Sequence, residues 1–292
     1  MKINAYAKIN LGLDVTGKRD DGYHEVRMIM QNIELHDELV IDRTEETGIV
    51  ITTDRKDLSV GEDNLIHKAA RLMMDEYDLS GGIRVHLVKN IPVAAGLAGG
   101  STDAAATIIA INELFALGLS QAELMETGVR IGADVPYCIM GGTALAEGIG
   151  EILTPLSPCP KWRTLIAKPD VGVSTAHVYG SYHPEDAVHP DIDRIAEGIR
   201  NSDFETVTRF MGNVLESVTA SEVPYVGQIK SIIAGHGGYP LMSGSGPTVF
   251  GLFGSDENIK EAYDILNQTD HISDLFITRI SDGRTQTANE HG

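Results

Sequence analysis

Cysteine is scarce. The chain has two among 292 residues, Cys138 and Cys159, which lie in separate segments and match no metal-binding spacing. Both are expected to be buried, inert thiols. Positive charge is also in short supply. Against 42 Asp and Glu stand 23 Lys and Arg, a formal net charge of −19. Nucleic acid and anionic membrane surfaces repel such a chain, so neither is expected as a partner. Any phosphate site must draw on local cations, backbone N–H groups or a metal. No stretch approaches the roughly 18 consecutive apolar residues of a membrane span. Met1 to Gly12 lacks the apolar run and cleavage pattern of a secretory leader, so a cytoplasmic protein is expected. No repeat or low-complexity segment is evident. His183 and His189 do not have i, i+4 metal spacing on a helix. Two phosphate-loop signatures are missing as well. G-x-x-x-x-G-K-[ST] occurs nowhere, which excludes a Walker loop, and without G-x-G-x-x-G the dinucleotide fingerprint fails.

What the chain does contain is a run of small residues. Pro92, Val93, Ala94, Ala95, Gly96, Leu97, Ala98, Gly99, Gly100, Ser101 and Thr102 lead into Asp103 and three alanines. Residues 104–117 then have the apolar spacing of a buried helix. A glycine-rich loop running into a helix N-terminus presents unpaired N–H groups and the positive end of the helix dipole, a natural seat for phosphate. Gly96, Gly99 and Gly100 let the backbone turn with positive φ and approach a ligand closely. The plainer reading is a tight turn followed by a closely packed helix.

Around this loop the pattern is mixed α and β. Residues 2–15 alternate as a strand, with Ile3, Ala5, Ala7, Ile9, Leu11 and Leu13 on one face and Lys8 and Asn10 on the other. Lys8 reads either as a solvated edge lysine or as a cation awaiting an anionic partner. Residues 24–34 predict a second strand, and 37–43 with 48–53 a hairpin. A helix capped by Asp63 or Asn64 runs to about residue 77, and strand 82–89 feeds the glycine-rich loop. Ser120 with Glu123 makes a capping box for a helix to about residue 131. Asp134 follows in a turn locked by Pro136, where the plainer role is a cap or a solvated acid. Three prolines within residues 155–160 suggest a domain boundary. Beyond it come strand 162–168, helices over 191–199, 204–215, 225–234 and 257–266, a second glycine-rich turn at 243–247 leading into strand 248–253, and a last strand over 275–280. Residues 285–292 read as a frayed tail.

The string P-x-x-x-G-L-x-G-G-S-[ST]-[DN]-A-A resembles the central phosphate-binding motif of the GHMP kinases. Lys8 and its neighbours resemble their first motif, and Ser243-Gly244-Ser245-Gly246-Pro247 their third, in the right order. Residues 7–13, 19–25, 132–136 and 146–151 narrow the resemblance to the 4-diphosphocytidyl-2-C-methyl-D-erythritol kinase family, over nearly the whole chain. The resemblance implies an α+β, two-domain fold. An N-terminal domain over 1–156 would be like ribosomal protein S5 domain 2, and a C-terminal domain over 157–292 would be ferredoxin-like. ATP and a small-molecule alcohol, 4-diphosphocytidyl-2-C-methyl-D-erythritol, would meet between them, with Mg²⁺ accompanying ATP through ligands the sequence leaves unknown.

By the same resemblance Asp134 is the catalytic base and Lys8 its cationic neighbour. Residues 92–102 wrap the triphosphate, and Asn64 and Lys89 contact the nucleotide. Ser101 and Asp103 could reach phosphate or a metal-bound water, or simply serve the helix end. Tyr23 and Tyr179 stack on the pyrimidine, His24 bonds the cytosine edge, and Asn10, Thr175, Gly244 and Ser245 line the substrate side. The tyrosine at 179 stands where some members carry phenylalanine. A monomer or weak homodimer is expected. Three rivals remain: another GHMP kinase, a related decarboxylase, and a catalytically silent nucleotide binder. Tyr23, His24 and Tyr179 argue against the first, because the other kinases' substrates lack a nucleobase. Lys8 with Asp134 argues against the last.

Overall fold

A strand that changes face twice sets up the first sheet. In the computed structural model, which describes residues 1–283, β1 (Lys2–Lys18) pairs antiparallel with β2 (His24–Thr44). The register slips between Tyr6 and Lys8 and again between Asn10 and Gly12. A bulge of one residue sends the side chains that follow to the opposite face. Ile3 and Ala5 therefore pack with Ile66 and Ala106, whereas Ala7, Ile9 and Leu11 pack with Phe250 and Leu252. Leu13 and Val15 join a third cluster with Ile108 and Tyr137. Strict alternation predicts one face for Ile3 through Leu13, and the bulges are why it fails. Their consequence is that Lys8 and Asn10 point away from the Phe250 cluster, and Asn10 reaches Met28.

The predicted hairpin over 37–43 and 48–53 does not form. Residues 37–43 belong to the single long strand β2, and β3 (Gly48–Thr53) runs parallel to β4 (Gly82–Val88), which lies between them. The crossover is α1 (Leu65–Glu76), whose Ile66, Ala69, Ala70 and Met73 are buried. Parallel neighbours need such a crossover, and the apolar stripe of α1 supplies one that packs on the sheet. Asn64 caps it, its side-chain oxygen accepting the Ile66 N–H at 2.8 Å.

Next come α2 (Gly99–Leu114), α3 (Gln121–Val129) and α4 (Val135–Met140). The Ser120–Glu123 capping box forms as read. Helix α2 begins at Gly99, five residues before the predicted start, so its first turn is made of the glycines themselves. A hairpin of β5 (Thr143–Glu147) and β6 (Ile152–Pro155) completes this part, β5 pairing with β2.

The chain then builds a second, antiparallel sheet. It passes through β7 (Arg163–Pro169), α5 (Thr175–Gly180), α6 (Ile192–Arg200), α7 (Phe204–Phe210), β8 (Gly212–Asn213), α8 (Glu216–Glu222) and α9 (Pro224–Gly235). It ends with β9 (Tyr239–Met242), β10 (Val249–Phe253), α10 (Asp256–Leu266) and β11 (Ile272–Arg279). The sheet order is β11-β7-β10-β9. The helix predicted over 204–215 stops at Phe210. Gly212 and Asn213 instead run parallel to Gly12 and Leu13 of β1, so β8 joins the first sheet. Glycine is a poor helix former, and the β1 edge offers free ladder groups at that point. Among the described residues no helix is long and apolar enough to cross a membrane. The predicted frayed tail, residues 285–292, lies outside the described residues.

Candidate active site

The glycine-rich loop lies between Lys89, just past β4, and the first turn of α2. The first intrahelical bond joins the Thr102 N–H to the Ala98 carbonyl at 2.9 Å, which leaves the N–H groups of Gly99, Gly100 and Ser101 ahead of the helical ladder. Of the three glycines read as turn residues, Gly96 has φ of +73°, whereas the other positive φ values in the loop belong to Ala94 and Ala98. Gly99 and Gly100 serve space. A Cβ on Gly99 would meet Lys89 Nζ at 2.9 Å, and one on Gly100 would meet Leu65 at 3.3 Å.

Gly96 is where the third motif docks. Ser243 donates its hydroxyl to the Gly96 carbonyl at 2.9 Å, and a Cβ on Gly96 would lie 2.2 Å from the Ser243 carbonyl oxygen. Gly96→Ala would add a left-handed φ penalty of about 1–2 kcal/mol to that clash. A lower melting temperature and a raised KM for ATP are expected, read by calorimetry and steady-state kinetics. An unchanged pair of values would remove this account of the junction. The third motif is itself braced. Asn213 donates to the carbonyls of Met242 and Gly244, both at 2.8 Å, and Thr219 donates to Ser245 O at 2.9 Å.

Lys8 enters from β1. Only 4% exposed, it is no solvated edge lysine. Its backbone N–H donates to the Leu97 carbonyl at 3.1 Å, and its ammonium donates to Asn10 Oδ1 at 2.8 Å. A Cβ on Gly244 would stand 3.4 Å from Lys8 Nζ, so the first and third motifs meet at this ammonium. Among the described residues no carboxylate lies within 4.0 Å of it. Asp134 opens α4 half-buried and makes no side-chain cap bond, so the plain capping role is not taken up. Asp134 and Lys8 both act on the buried Cys138 thiol, which burial drives above its ordinary pKa. The Asp134 charge pushes it further up and Lys8 draws it down, which places both charges around one side chain of α4. Burial likewise raises the Cys159 thiol, in keeping with two inert cysteines.

These groups surround one cavity of about 1030 Å³, lined by Lys8, Asp134 and most of the loop. Leu97 and Thr102 lie behind the wall at 1% and 0% exposure. Asn64, Lys89, Thr175, Gly244 and Ser245 also line it, and the hydroxyls of Thr175 and Ser245 are 2.9 Å apart. Asn10 is not on the wall. Fully buried, it holds the Lys8 ammonium in place. Lys89 reaches the cavity, but its ammonium is spent on Asp37 and Asp103. Burial would lower the Lys89 pKa, and the two carboxylates more than offset it.

At the far end Tyr23 stands 60% exposed at the rim. His24 and Tyr179 sit together, ring centroids 5.4 Å apart. Burial, with Lys18 nearby, holds the His24 imidazole below its ordinary pKa, so at neutral pH it offers one donor and one acceptor. Burial raises the Tyr179 phenol, and the Asp134 charge adds to it. Sequence reasoning missed Lys18, Leu58, Ser59 and Ile149, which also line the cavity. Lys18, Leu58 and Ser59 belong to no motif, and Ile149 lies in the 146–151 motif without a signal of its own; only the fold brings the four together.

For a Mg²⁺ ion accompanying ATP, the donor set fits. Among the described residues no three His, Cys, Asp or Glu side chains form a metal cage. Mg²⁺ on a nucleotide needs none, because it keeps waters and phosphate oxygens and takes one or two carboxylates. Asp103 lines the cavity, and its Oδ1 is buried with no hydrogen-bond partner.

Comparison with known proteins identifies the family. Residues 64–142 match the model of the GHMP kinases N terminal domain, and residues 195–271 the model GHMP kinases C terminal. The 4-diphosphocytidyl-2-C-methyl-D-erythritol kinase of Lachnospira eligens is 50% identical over 280 residues, covering 95% of this chain and 97% of that protein. That of Lachnoclostridium phytofermentans is 46% identical, covering 97% and 98%. A crystal structure of 4-(cytidine 5'-diphospho)-2C-methyl-D-erythritol kinase superposes with a TM-score of 0.83 at 30% identity, covering 97% of this chain and all of that one. The chain belongs to the GHMP kinases, and within them to the 4-diphosphocytidyl-2-C-methyl-D-erythritol kinase family.

Proposed function

We propose that the chain transfers the γ-phosphate of ATP to the 2-hydroxyl of 4-diphosphocytidyl-2-C-methyl-D-erythritol, in the non-mevalonate route to isoprenoids. The observation that carries this reading is the convergence of Lys8, Asp134, the glycine-rich loop and a His24–Tyr179 corner on one cavity. A tertiary alcohol is a poor nucleophile. Asp134 takes its proton as the oxygen attacks the γ-phosphorus and the bond to the ADP oxygen breaks. Lys8 stabilises the charge that gathers between them. The N–H groups of Gly99, Gly100 and Ser101 hold the phosphates at the helix N-terminus. Mg²⁺, when bound, neutralises phosphate charge, and Asp103 Oδ1 is the protein oxygen that would hold it or its water. The net charge of −19 favours an enzyme that works without nucleic acid, and we read it as cytoplasmic and as a monomer or weak dimer.

The cytidine end is tested by inhibition. Cytidine monophosphate is expected to compete with the alcohol and not with MgATP. Tyr23→Ala should weaken that inhibition by about tenfold, given stacking of about 1–3 kcal/mol per base. Competition against MgATP alone would remove the pocket assignment.

A further inference from the structure

We propose that Asp37 is a positioning residue for ATP, which with Lys89 and Asp103 clamps the two ends of the phosphate loop together. The inference rests on the reading of that loop as the holder of ATP. Asp37 lies in β2, fully buried, in none of the motifs above. Its Oδ1 accepts the backbone N–H groups of Asn90 at 2.6 Å and Ile91 at 2.8 Å, where the loop begins. Its Oδ2 accepts from the Lys89 ammonium, which also donates to Asp103 Oδ2 at 2.7 Å, near the start of α2. Asn90 adds a bond from its side chain to the His36 carbonyl at 2.9 Å. One buried ionic chain therefore joins residues 89–91 to residue 103 across the loop.

Gly99 fits the same device. A side chain there would meet Lys89 Nζ at 2.9 Å and Ile91 at 3.0 Å, displacing the lysine that forms the link. Between the clamped ends, Ala94 and Ala98 hold positive φ values of 50° and 58°. Strained backbone of that kind persists only where its surroundings over-determine it. N–H groups aimed at phosphate act best when they are fixed beforehand. Asp37 touches no reacting atom in this scheme and acts through the loop.

Asp37→Asn keeps the shape and one acceptor but removes the charge facing Lys89. The KM for MgATP is expected to rise about tenfold or more, since an ångström of misplacement can cost up to about a hundredfold. The KM for the cytidylyl alcohol should stay within about twofold in the same variant, because the clamp does not touch that end. Asp103→Asn, at the other end of the ionic link, should give the same split, but it also alters the residue assigned to Mg²⁺, so a rise in Asp37→Asn is the result that supports the clamp. Unchanged MgATP KM in both folded variants would overturn the clamp. So would a parallel rise in both KM values with a lower melting temperature, or loss of the fold in both, since each marks a merely structural role. Gly96→Ala separates the two levels. If it raises the MgATP KM and the aspartate variants do not, the clamp alone is wrong. If it leaves that KM unchanged too, the loop reading falls and the clamp with it.

Discussion

Asp134→Asn is expected to lower kcat by roughly 10² to 10⁴, the span of a positioned general base. The amide keeps the size of the side chain and its place at the start of α4, where no cap bond depends on the charge. Helix α4 and the cavity wall should persist, and the dissociation constant for MgATP should move little. Two secondary effects sharpen the expectation. The Asp134 charge now raises the Cys138 and Tyr179 pKa values, so both groups should titrate lower in the variant. Lys8 would keep its bond to Asn10. Single-turnover phosphoryl transfer with calorimetric ATP binding checks both halves. Full turnover in the variant would exclude Asp134 as the base.

Lys8→Met carries the second large effect. Among the described residues its ammonium has one side-chain hydrogen-bond partner, Asn10 Oδ1, and it lies next to Gly244 and the loop. A buried cation with no carboxylate against it among the described residues is poised for an anionic visitor, because an isolated buried charge is otherwise costly. Removing one such electrostatic group costs about 10² to 10³ in kcat by analogy with oxyanion-hole donors. The loss should fall mainly on kcat, since the stabilised charge develops as phosphoryl moves. Methionine retains the bulk of the stem, and the Lys8 N–H to Leu97 O bond is a backbone bond, so the β1-to-loop junction should survive. An unaltered kcat with a raised alcohol KM would instead make Lys8 a binding group.

The parts of this site that could be read from sequence are those whose chemistry is local. The glycine-rich loop and its helix are contiguous, and so are the Asn64 cap and the Ser120–Glu123 capping box, which depend on neighbours two or three residues away. The parts that could not be read are set by distant pairings. Alternation in β1 is plain in the sequence, yet its register shifts are fixed by β2, and those at Tyr6/Lys8 and Asn10/Gly12 flank Lys8 and Asn10 as a pair. The resemblance puts Asn10 on the substrate side, but the cavity wall does not include it. Burial makes it the support of that lysine instead. Residues 48–53 read as the partner of 37–43 by proximity, but α1 carries the chain over to β4, which takes the place between them. The extended pair at Gly212–Asn213 needed the edge of β1, which lies about two hundred residues earlier in the chain. Asp37 had no local signal at all. An acid in a strand gains meaning only when Lys89 and the amides of Asn90 and Ile91 arrive beside it.

The central claim is tested most directly by a coupled ADP-release assay with MgATP. The protein would be offered 4-diphosphocytidyl-2-C-methyl-D-erythritol, homoserine and mevalonate in separate reactions. Turnover with the cytidylyl alcohol and none with the others is the predicted result. Turnover with homoserine or mevalonate but not the cytidylyl alcohol would contradict the account, leaving the loop and the Lys8–Asp134 pair but removing the cytidine pocket.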